Sequence, residues 1–303
     1  IFFVMSSVKT LIHSKSGARA EIYSVGATVT SYKTSEGRDV LFLSRDAKLD
    51  GSKAIRGGIP LVFPQFGQPD KSMPQHGFLR TNEWEFDESS MYDDEDEAGL
   101  TLVLNLSNVK KSRGGAWDVD TKYDCTFLFS VKISPSSLTT VLTIKNIGKI
   151  AFPFQTLMHT YYHVSNREAL DAKNCNVVGL GGYSVVDKIS GDEYVLGSDP
   201  IVVVGNVDRI YTPPPEGKKE VNVTVMTGLG TSVKLTASGK VDGQDVGLSA
   251  VVWNPHKEKA EAMSDFGSDQ YHDMICVEPG LISDVPELPP GKECVFTQTT
   301  TAL

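Results

Sequence analysis

The sequence contains few cysteines, and none of them belongs to a metal-binding or redox motif. The four cysteines, Cys125, Cys175, Cys276 and Cys294, lie far apart, and no C-x-x-C spacing occurs among them. Such spacing indicates neither a disulfide framework nor a cysteine zinc site. We therefore expect free thiols, no bound metal and a reducing compartment, the cytoplasm.

Long apolar runs and an excess of positive charge are also missing. No apolar segment approaches the roughly 20 residues that a transmembrane helix requires, so we expect no membrane partner. The formal net charge is −9, whereas binding to a nucleic-acid backbone requires a basic face that releases counterions, so we expect no nucleic-acid partner. Salt screens charges beyond about 8 Å, and two convergent arginines can therefore still hold a small phosphate ligand.

Helical periodicity is scarce, and the segment 257–265 is the one persuasive helix, with Gly267 placed to end it. Segments rich in β-branched and aromatic residues are separated by turn formers. They are residues 20–25, 40–43, 100–106, 123–133, 138–147, 154–164, 221–225, 232–237, 248–253, 274–278 and 294–300. Numerous strands with short turns and no alternating helices predict an all-β sandwich.

The chain is predicted to form a single domain over residues 7–303, because no linker or internal repeat divides it. Residues 1–6 are expected to be a disordered leader, since the apolar run before Met5 is too short for a signal-peptide core. The basic segment 110–115 fits a mobile surface loop better than a phosphate cradle. We also expect the protein to be a monomer.

Two stretches rich in Gly and Pro carry polar side chains that suit a binding site. Residues 56–67 read RGGIPLVFPQFG, and residues 75–80 read QHGFLR. Gly and Pro fix an irregular backbone, which makes a loop-built polar site rigid. Together with His159 and Glu278 downstream, Arg56, His76 and Arg80 suggest a sugar-phosphate site with an acid and a base.

His159 and Glu278 each have a structural interpretation beside the functional one. His159 lies in a predicted strand, where His163 would be about 13 Å away, too far for a shared metal ion. A lone strand histidine is usually structural, so its importance depends on its partners. Glu278 is predicted to end the strand 274–277 before a Pro-Gly turn, where partial burial would raise its pKa towards that of a general base. A charged residue at a strand end can equally serve solubility.

Two further segments lie at or after the ends of predicted strands. Asp208, in the segment 208–211, could hydrogen-bond a sugar hydroxyl or take part in a turn with an internal ion pair. Trp253 could offer a flat apolar surface to a pyranose ring, although tryptophan is more often a core residue. Neither segment is specific by itself.

The order of these motifs resembles that of the glucose-6-phosphate 1-epimerases, the hexose-6-phosphate mutarotase branch of the aldose 1-epimerase family. The matching segments are 56–60, 62–67, 76–78 with Arg80, 159–161, 207–211, 253–255 with 262–266, and 276–278. The resemblance implies a galactose-mutarotase-like β-supersandwich, mainly antiparallel with few short helices, and anomer interconversion without a cofactor. Leu79 and His256 depart from the usual pattern of this branch.

The resemblance also implies roles for individual residues. Glu278 would remove the proton of the C1 hydroxyl, and His159 would donate a proton to the ring oxygen. The expected substrate-binding residues are Arg56, Gln65, His76, Arg80 and Asp208. His76 and Asp208 would orient sugar hydroxyls. Planar guanidinium groups suit a phosphate dianion, so we expect Arg56 and Arg80 to bind the 6-phosphate, with Lys53 and Arg45 as the next candidates.

Two other functions remain compatible with the sequence. A noncatalytic sugar-binding module would bind glycans on the same fold, because fold does not determine function. A glycoside hydrolase would use Asp208 and Glu278 as its carboxylate pair. Binding without anomer exchange would favour the first function, and release of free sugar from a glycoside would favour the second.

Overall fold

The computed structural model describes residues 7–109, 117, 122–198, 200–217 and 219–303. The predicted leader 1–6 and the loop 110–115 lie outside these residues. Within the described ranges the chain forms many strands and a single α-helix, and every pairing between named strands is antiparallel. The predicted all-β class is confirmed.

The strands are numbered in chain order. They are β1 (Val8–Ile12), β2 (Arg19–Tyr23), β3 (Thr28–Lys33), β4 (Leu61–Val62), β5 (Glu85–Asp93), β6 (Ala98–Asn105), β7 (Cys125–Ile133), β8 (Ser137–Asn146), β9 (Phe152–Pro153), β10 (Thr156–Met158), β11 (Tyr161–His163), β12 (Cys175–Val178), β13 (Ser184–Asp187), β14 (Glu193–Val195), β15 (Val207–Thr212), β16 (Val221–Thr227), β17 (Ser232–Val241), β18 (Gln244–Val246), β19 (Ser249–Asn254), β20 (Met274–Leu281), β21 (Glu287–Leu288) and β22 (Glu293–Ala302). The α-helix α1 comprises His256–Ala262, and short 3₁₀ segments comprise Leu79–Thr81, Leu106–Asn108, Ser165–Arg167 and Gln270–His272.

The larger sheet has nine strands in the order β12-β16-β17-β22-β8-β7-β6-β5, with β18 paired to β17. Its strands alternate between buried and more exposed positions. In β7, Cys125, Phe127 and Phe129 point into the core, and the residues between them are partly exposed. A strict period of two therefore leaves one face of this sheet towards solvent and the other packed on the core.

The second sheet has eight strands in the order β14-β13-β15-β19-β20-β10-β4, with β11 paired to β20. Its central strands β19 and β20 are buried at every position. Val252 and Val277 belong to the main core shared with the nine-stranded sheet. Trp253 and Cys276 belong to a second apolar cluster on the opposite face, which also contains Tyr161. Both faces are covered, so a polar side chain on the second face is desolvated. The strands β1-β2-β3 and β9-β21 form two small additional sheets.

The predicted strand 154–164 is interrupted at His159. Strands β10 and β11 both pair with β20, and their partners Leu157↔Gly280 and Tyr161↔Cys276 follow one register. This register places His159 opposite Glu278. Pro279 has no amide hydrogen to donate to the ladder, which is consistent with an interruption here.

The prediction that Glu278 ends its strand is wrong. Strand β20 continues through Pro279 and Gly280 to Leu281, with Pro279 paired to Ala250 of β19. Glu278 therefore lies within a central strand, where it is 1% exposed. Its carboxyl group is more completely desolvated than a residue at a strand end would be.

The predicted helix 257–265 forms, but over different residues. Helix α1 comprises His256–Ala262, and Met263 already has extended backbone angles. The chain leaves the helix early, so that Asp265 pairs with Arg56 and Phe266 is buried in the second apolar cluster. These tertiary contacts outweigh the local helix propensity of the segment.

Among the described residues, no helix has the length and hydrophobicity needed to cross a bilayer.

Candidate active site

A cavity of about 300 Å³ lies on the face of the eight-stranded sheet that carries Trp253 and the second apolar cluster. Its lining combines a few apolar side chains with a high density of ionisable groups. The lining residues are Arg56, Phe66, Gln75, His76, His159, Lys188, Asp208, Val251, Trp253, Lys259, Met263 and Glu278. Five of the seven expected catalytic and substrate-binding residues, Arg56, His76, His159, Asp208 and Glu278, thus meet around one space.

His159 and Glu278 are the closest acid-base pair in this cavity. The Nδ1 atom of His159 lies 3.3 Å from Oε1 of Glu278, and both residues are almost fully buried. This contact does not have the geometry of a hydrogen bond, and His159 Nδ1 has no hydrogen-bond partner among the described residues. The other carboxylate oxygen, Glu278 Oε2, also has none there. Buried polar atoms are normally paired, and these two atoms are therefore candidates for contact with a ligand.

Neighbouring aromatic rings hold the His159 imidazole in place. The Tyr161 ring stacks on it with a centroid separation of 4.8 Å and an interplanar angle of 10°. Trp253 and His76 each meet it edge-on at 5.9 Å. The backbone N–H of His159 donates to the carbonyl of Pro60 at 2.9 Å, which ties the histidine to the Gly/Pro-rich segment.

Burial shifts the two pKa values in opposite directions. Burial, followed by the positive charges of nearby groups, lowers the pKa of His159 well below its usual value. Burial and the Asp208 carboxylate raise the pKa of Glu278 well above its usual value. Desolvation therefore disfavours the charged form of each side chain, the imidazolium of His159 and the carboxylate of Glu278.

His76 is a neutral hydrogen-bonding group. Its Nδ1 accepts a hydrogen bond from the N–H of Gly67 at 3.2 Å, and its backbone N–H donates to the carbonyl of Gly67 at 2.7 Å. Burial, together with the charge of Arg80, lowers the pKa of His76 to about 2. Because Nδ1 is an acceptor, the proton of the neutral ring resides on Nε2.

Asp208 lies within β15 and is bound by two lysines. Lys188 Nζ is 3.4 Å from Asp208 Oδ1, and Lys259 Nζ is 3.7 Å from Oδ2. The residue therefore does not lie in a turn, which was one of the two alternatives that the sequence left open. Its carboxylate forms ion pairs at the cavity wall.

Arg56 and Arg80 line a second cavity of about 410 Å³, which shares Arg56, Gln75 and Met263 with the first. Arg56 donates to the Tyr161 hydroxyl at 3.2 Å and to Asp265 Oδ2 at 3.2 Å. Arg80 donates to the carbonyl of Gln75 at 2.9 Å. The Nε atoms of both arginines are buried and have no hydrogen-bond partner among the described residues.

The electrostatic surroundings of the second cavity are cationic. Burial and the charge of Arg56 lower the pKa of Arg80 to about 10, a value at which the guanidinium is still charged at neutral pH. Lys53 also lines this cavity and donates to the Ser264 hydroxyl at 2.9 Å. Three cations and the single carboxylate of Asp265 leave two net positive charges.

Gln65 and Arg45 lie elsewhere. The side-chain amide of Gln65 donates to the carbonyls of Asp70 and Pro74 and accepts from the N–H of Asp70, and Gln65 is not among the lining residues of either cavity. Gln65 therefore braces the loop that carries His76. Arg45 is bound to Asp269 at the surface and does not line the second cavity.

Several residues that shape the site were not identified from the sequence. Lys188 and Lys259 belong to no motif, and Tyr161 and Asp265 appeared only as members of longer matching segments. The alternation of β11 could have placed Tyr161 beside His159. No local signal connects Lys188 to Asp208 or Asp265 to Arg56.

One group of described side chains, His159, Cys276 and Glu278, brings potential metal ligands within 4.8 Å of one another. The Arg56 charge acts on Cys276, and the charges of Lys188 and Arg80 act on Glu278. These cations disfavour a further positive ion. We interpret His159 and Glu278 as an acid-base pair and not as metal ligands.

The matches to known proteins extend over nearly the whole chain. A family model described as "Aldose 1-epimerase" matches residues 9–301. A Cenchrus ciliaris protein named "Putative glucose-6-phosphate 1-epimerase" is 31% identical over 296 residues, which cover 94% of this chain and 82% of the relative.

Solved structures establish the type of fold. The structure of a "putative mutarotase" (YeaD) from Salmonella typhimurium has a TM-score of 0.79 at 22% identity, covering 98% of this chain and 90% of the other. A "galactose mutarotase-like protein" from Clostridium acetobutylicum has a TM-score of 0.68 at 15% identity, covering 99% and 98%. The expected galactose-mutarotase-like architecture is confirmed.

Proposed function

Because the chain belongs to the aldose 1-epimerase family, we propose that it interconverts the α and β anomers of a hexose 6-phosphate, glucose 6-phosphate in the first instance. The observation that carries this proposal is the 3.3 Å contact between His159 Nδ1 and Glu278 Oε1 at a cavity wall. Ring opening requires a base for the C1 hydroxyl and an acid for the ring oxygen. Both oxygens are bonded to C1 and lie close together, so an acid and a base that contact each other can serve them.

In the proposed reaction, the Glu278 carboxylate accepts the proton of the C1 hydroxyl while His159 donates a proton to the ring oxygen. The C1–O5 bond breaks and leaves an open-chain aldehyde. Rotation about C1–C2 presents the other face of the aldehyde, and reclosure reverses both proton transfers. Paired transfers avoid an unassisted alkoxide at neutral pH.

Before this step, the proton distribution between His159 and Glu278 has to change. Desolvation favours neutral His159 and protonated Glu278, whereas the proposed roles require the proton on His159. A sugar hydroxyl that donates to Glu278 stabilises the carboxylate form. The phosphate dianion adds negative charge near His159 and favours its protonation.

The second cavity is the proposed host of the 6-phosphate. Its two net positive charges match the charge of a phosphate dianion, and the buried Nε–H groups of Arg56 and Arg80 are available as donors. Guanidinium groups bind phosphate through charge-assisted hydrogen bonds. The cavity shares Arg56 with the one that contains the acid-base pair, so both can serve a single ligand.

Trp253 and His76 complete the proposed sugar site. Trp253 lines the first cavity beside His159 and offers an apolar face to the pyranose ring. The Nε2–H of neutral His76 is a donor for a sugar oxygen. Asp208 accepts hydrogen bonds from sugar hydroxyls while it remains paired with its lysines.

Exchange spectroscopy of the anomeric protons of glucose 6-phosphate tests the function. Glu278→Gln keeps the size of the side chain and removes the base, and His159→Ala removes the acid. Each change should lower enzyme-catalysed exchange about 10² to 10⁴-fold, the usual contribution of a general acid or base. Glu293→Gln is the matched control, because Glu293 lies on β22 of the other sheet and pairs with Lys145.

Near-normal exchange in a folded Glu278→Gln protein would contradict the assignment. Saturable binding of glucose 6-phosphate without exchange in the wild-type protein would instead favour a binding module. Release of free sugar from a glycoside would favour a hydrolase.

A further inference from the structure

Two lysines hold the Asp208 carboxylate, and the proposed reaction uses neither of them. Lys188 directly follows β13, and its backbone N–H donates to the carbonyl of Asp208 at 2.9 Å. Its ammonium group also lies 3.4 Å from Asp208 Oδ1. Backbone and side chain therefore fix Lys188 beside Asp208 at the wall of the first cavity.

Asp208 and Glu278 place two carboxyl groups in one cavity. A negative charge close to a buried carboxyl group favours its protonated form, since two like charges in a poorly solvated space repel each other. A protonated Glu278 cannot accept the proton of the C1 hydroxyl. The charge that Asp208 presents to the cavity therefore decides how easily Glu278 acts as a base.

We propose that Lys188 is a positioning residue that keeps Glu278 available as a base by neutralising Asp208. Lys188 is better placed for this role than Lys259. Its ammonium is the nearer of the two to Asp208 and also lies 5.2 Å from the ring of Phe66, which packs against His76. Lys259 lies instead on the Trp253 side of the cavity.

The electrostatics of Glu278 agree with this arrangement. Asp208 is the charged group that most raises the pKa of Glu278, and Lys188 is the cation that most lowers it. The ionisable groups around Glu278 come from several elements: Asp208, Lys188, Lys259, Arg80, Arg56, His76, His159, Tyr161 and Cys276. All of them except the substituted residue are the same in each variant below, so differences between variants report the substituted charge.

An infrared pH titration of the purified protein without substrate tests the inference. The signal is the carboxylic-acid C=O band that Glu278→Gln abolishes. Lys188→Met should move its midpoint upward by about half a unit to one unit, as expected for the loss of a positive charge on a partly exposed, solvent-screened lysine. Asp208→Asn should move it downward. Lys259→Met removes an equal charge from the same carboxylate and is the matched control, with a smaller expected shift.

The catalytic consequence rests on the proposed function and is measured separately. The proposed step needs the proton of the pair on His159 and the carboxylate form of Glu278. Lys188→Met should favour the other arrangement, with the proton on Glu278, and so reduce kcat/KM by about 3 to 10-fold, the factor that corresponds to about half a unit to one unit in the pKa of Glu278. The phosphate of the substrate titrates near pH 6, but identically for every variant.

The outcomes separate the two proposals. An unchanged infrared midpoint in Lys188→Met, or an equal shift in Lys259→Met, overturns the role of Lys188 whatever the activity. A shifted midpoint in a protein that catalyses no anomer exchange supports the charge relation and refutes the proposed function. A shifted midpoint with the expected reduction in kcat/KM supports both.

Discussion

At the scale of single residues, Arg56 and Arg80 differ in what their removal leaves behind. Arg56→Ala would leave the buried Asp265 carboxylate without its ion-pair partner, whereas Arg80→Ala removes a hydrogen bond only to a backbone carbonyl. Arg80→Ala is therefore the cleaner test of phosphate binding. A hydrogen bond to a charged group contributes about 1.5 to 3 kcal/mol, which corresponds to roughly 10 to 150-fold in kcat/KM.

This loss should fall on glucose 6-phosphate and largely spare free glucose, so the ratio of the two kcat/KM values is the quantity to measure. Arg45→Ala provides the control, because Arg45 is bound to Asp269 outside the second cavity. Equal losses for both sugars would place Arg80 in the scaffold. Lys53 would then be the next candidate for phosphate binding.

At the scale of local elements, a close backbone approach holds the loop that carries His76. Gly77 has a φ of +71°, and a Cβ atom there would lie 1.8 Å from the carbonyl oxygen of Phe63. That carbonyl accepts the hydrogen bond of the Phe78 N–H at 2.9 Å. Space, as well as backbone conformation, therefore requires glycine at this position.

Gly77→Ala should destabilise the protein far more than Gly67→Ala, measured as the free energy of unfolding in urea. Gly67 has a φ of +70°, and no described atom outside its immediate chain neighbours lies within 4 Å of the position that a Cβ atom would take. Its substitution therefore incurs only backbone strain, about 1 to 2 kcal/mol. Gly77→Ala adds a clash with the Phe63 backbone, and its total cost should exceed about 4 kcal/mol. Similar losses of unfolding free energy in both variants would contradict this prediction, because the loop that carries His76 would then relieve the clash without an energetic cost.

At the scale of the whole molecule, the buried ionisable groups make stability depend on pH. His76 and His159 have pKa values lowered by burial, so the unfolded chain binds their protons more tightly. Their contribution is complete above about pH 6.5 and is lost as the pH falls below that value. Glu278 acts in the opposite sense: its raised pKa costs stability as the pH rises above about 4.5.

Two histidines outweigh one carboxyl group between pH 6.5 and 4.5, so the free energy of unfolding should fall on acidification. His76→Asn should reduce that slope by about 1.4 kcal/mol per pH unit, the value for one proton. His256→Asn is the control, since His256 also has a positive φ but is partly exposed. Urea titrations at several pH values give the slopes, and an unchanged slope in His76→Asn would contradict the burial of a neutral imidazole.

The sequence by itself determined the all-β class and most of the candidate site. Alternation with a period of two is a local property, and in β7 it appears directly as buried Cys125, Phe127 and Phe129. The Gly/Pro-rich stretches around Arg56 and His76 indicated a rigid loop site. Turn formation is also a local property, because it depends on residues that are neighbours in the chain. His159 and Glu278 were recognisable from their order among the matching motifs.

The tertiary structure alone decided how these groups act on one another. The register of β10, β11 and β20 placed His159 opposite Glu278 and put the carboxyl group inside a strand. Ion pairs between distant segments joined Lys188 to Asp208 and ended α1 early enough for Asp265 to reach Arg56. Strand register and desolvation depend on residues far apart in the chain, and a local pattern carries no information about either.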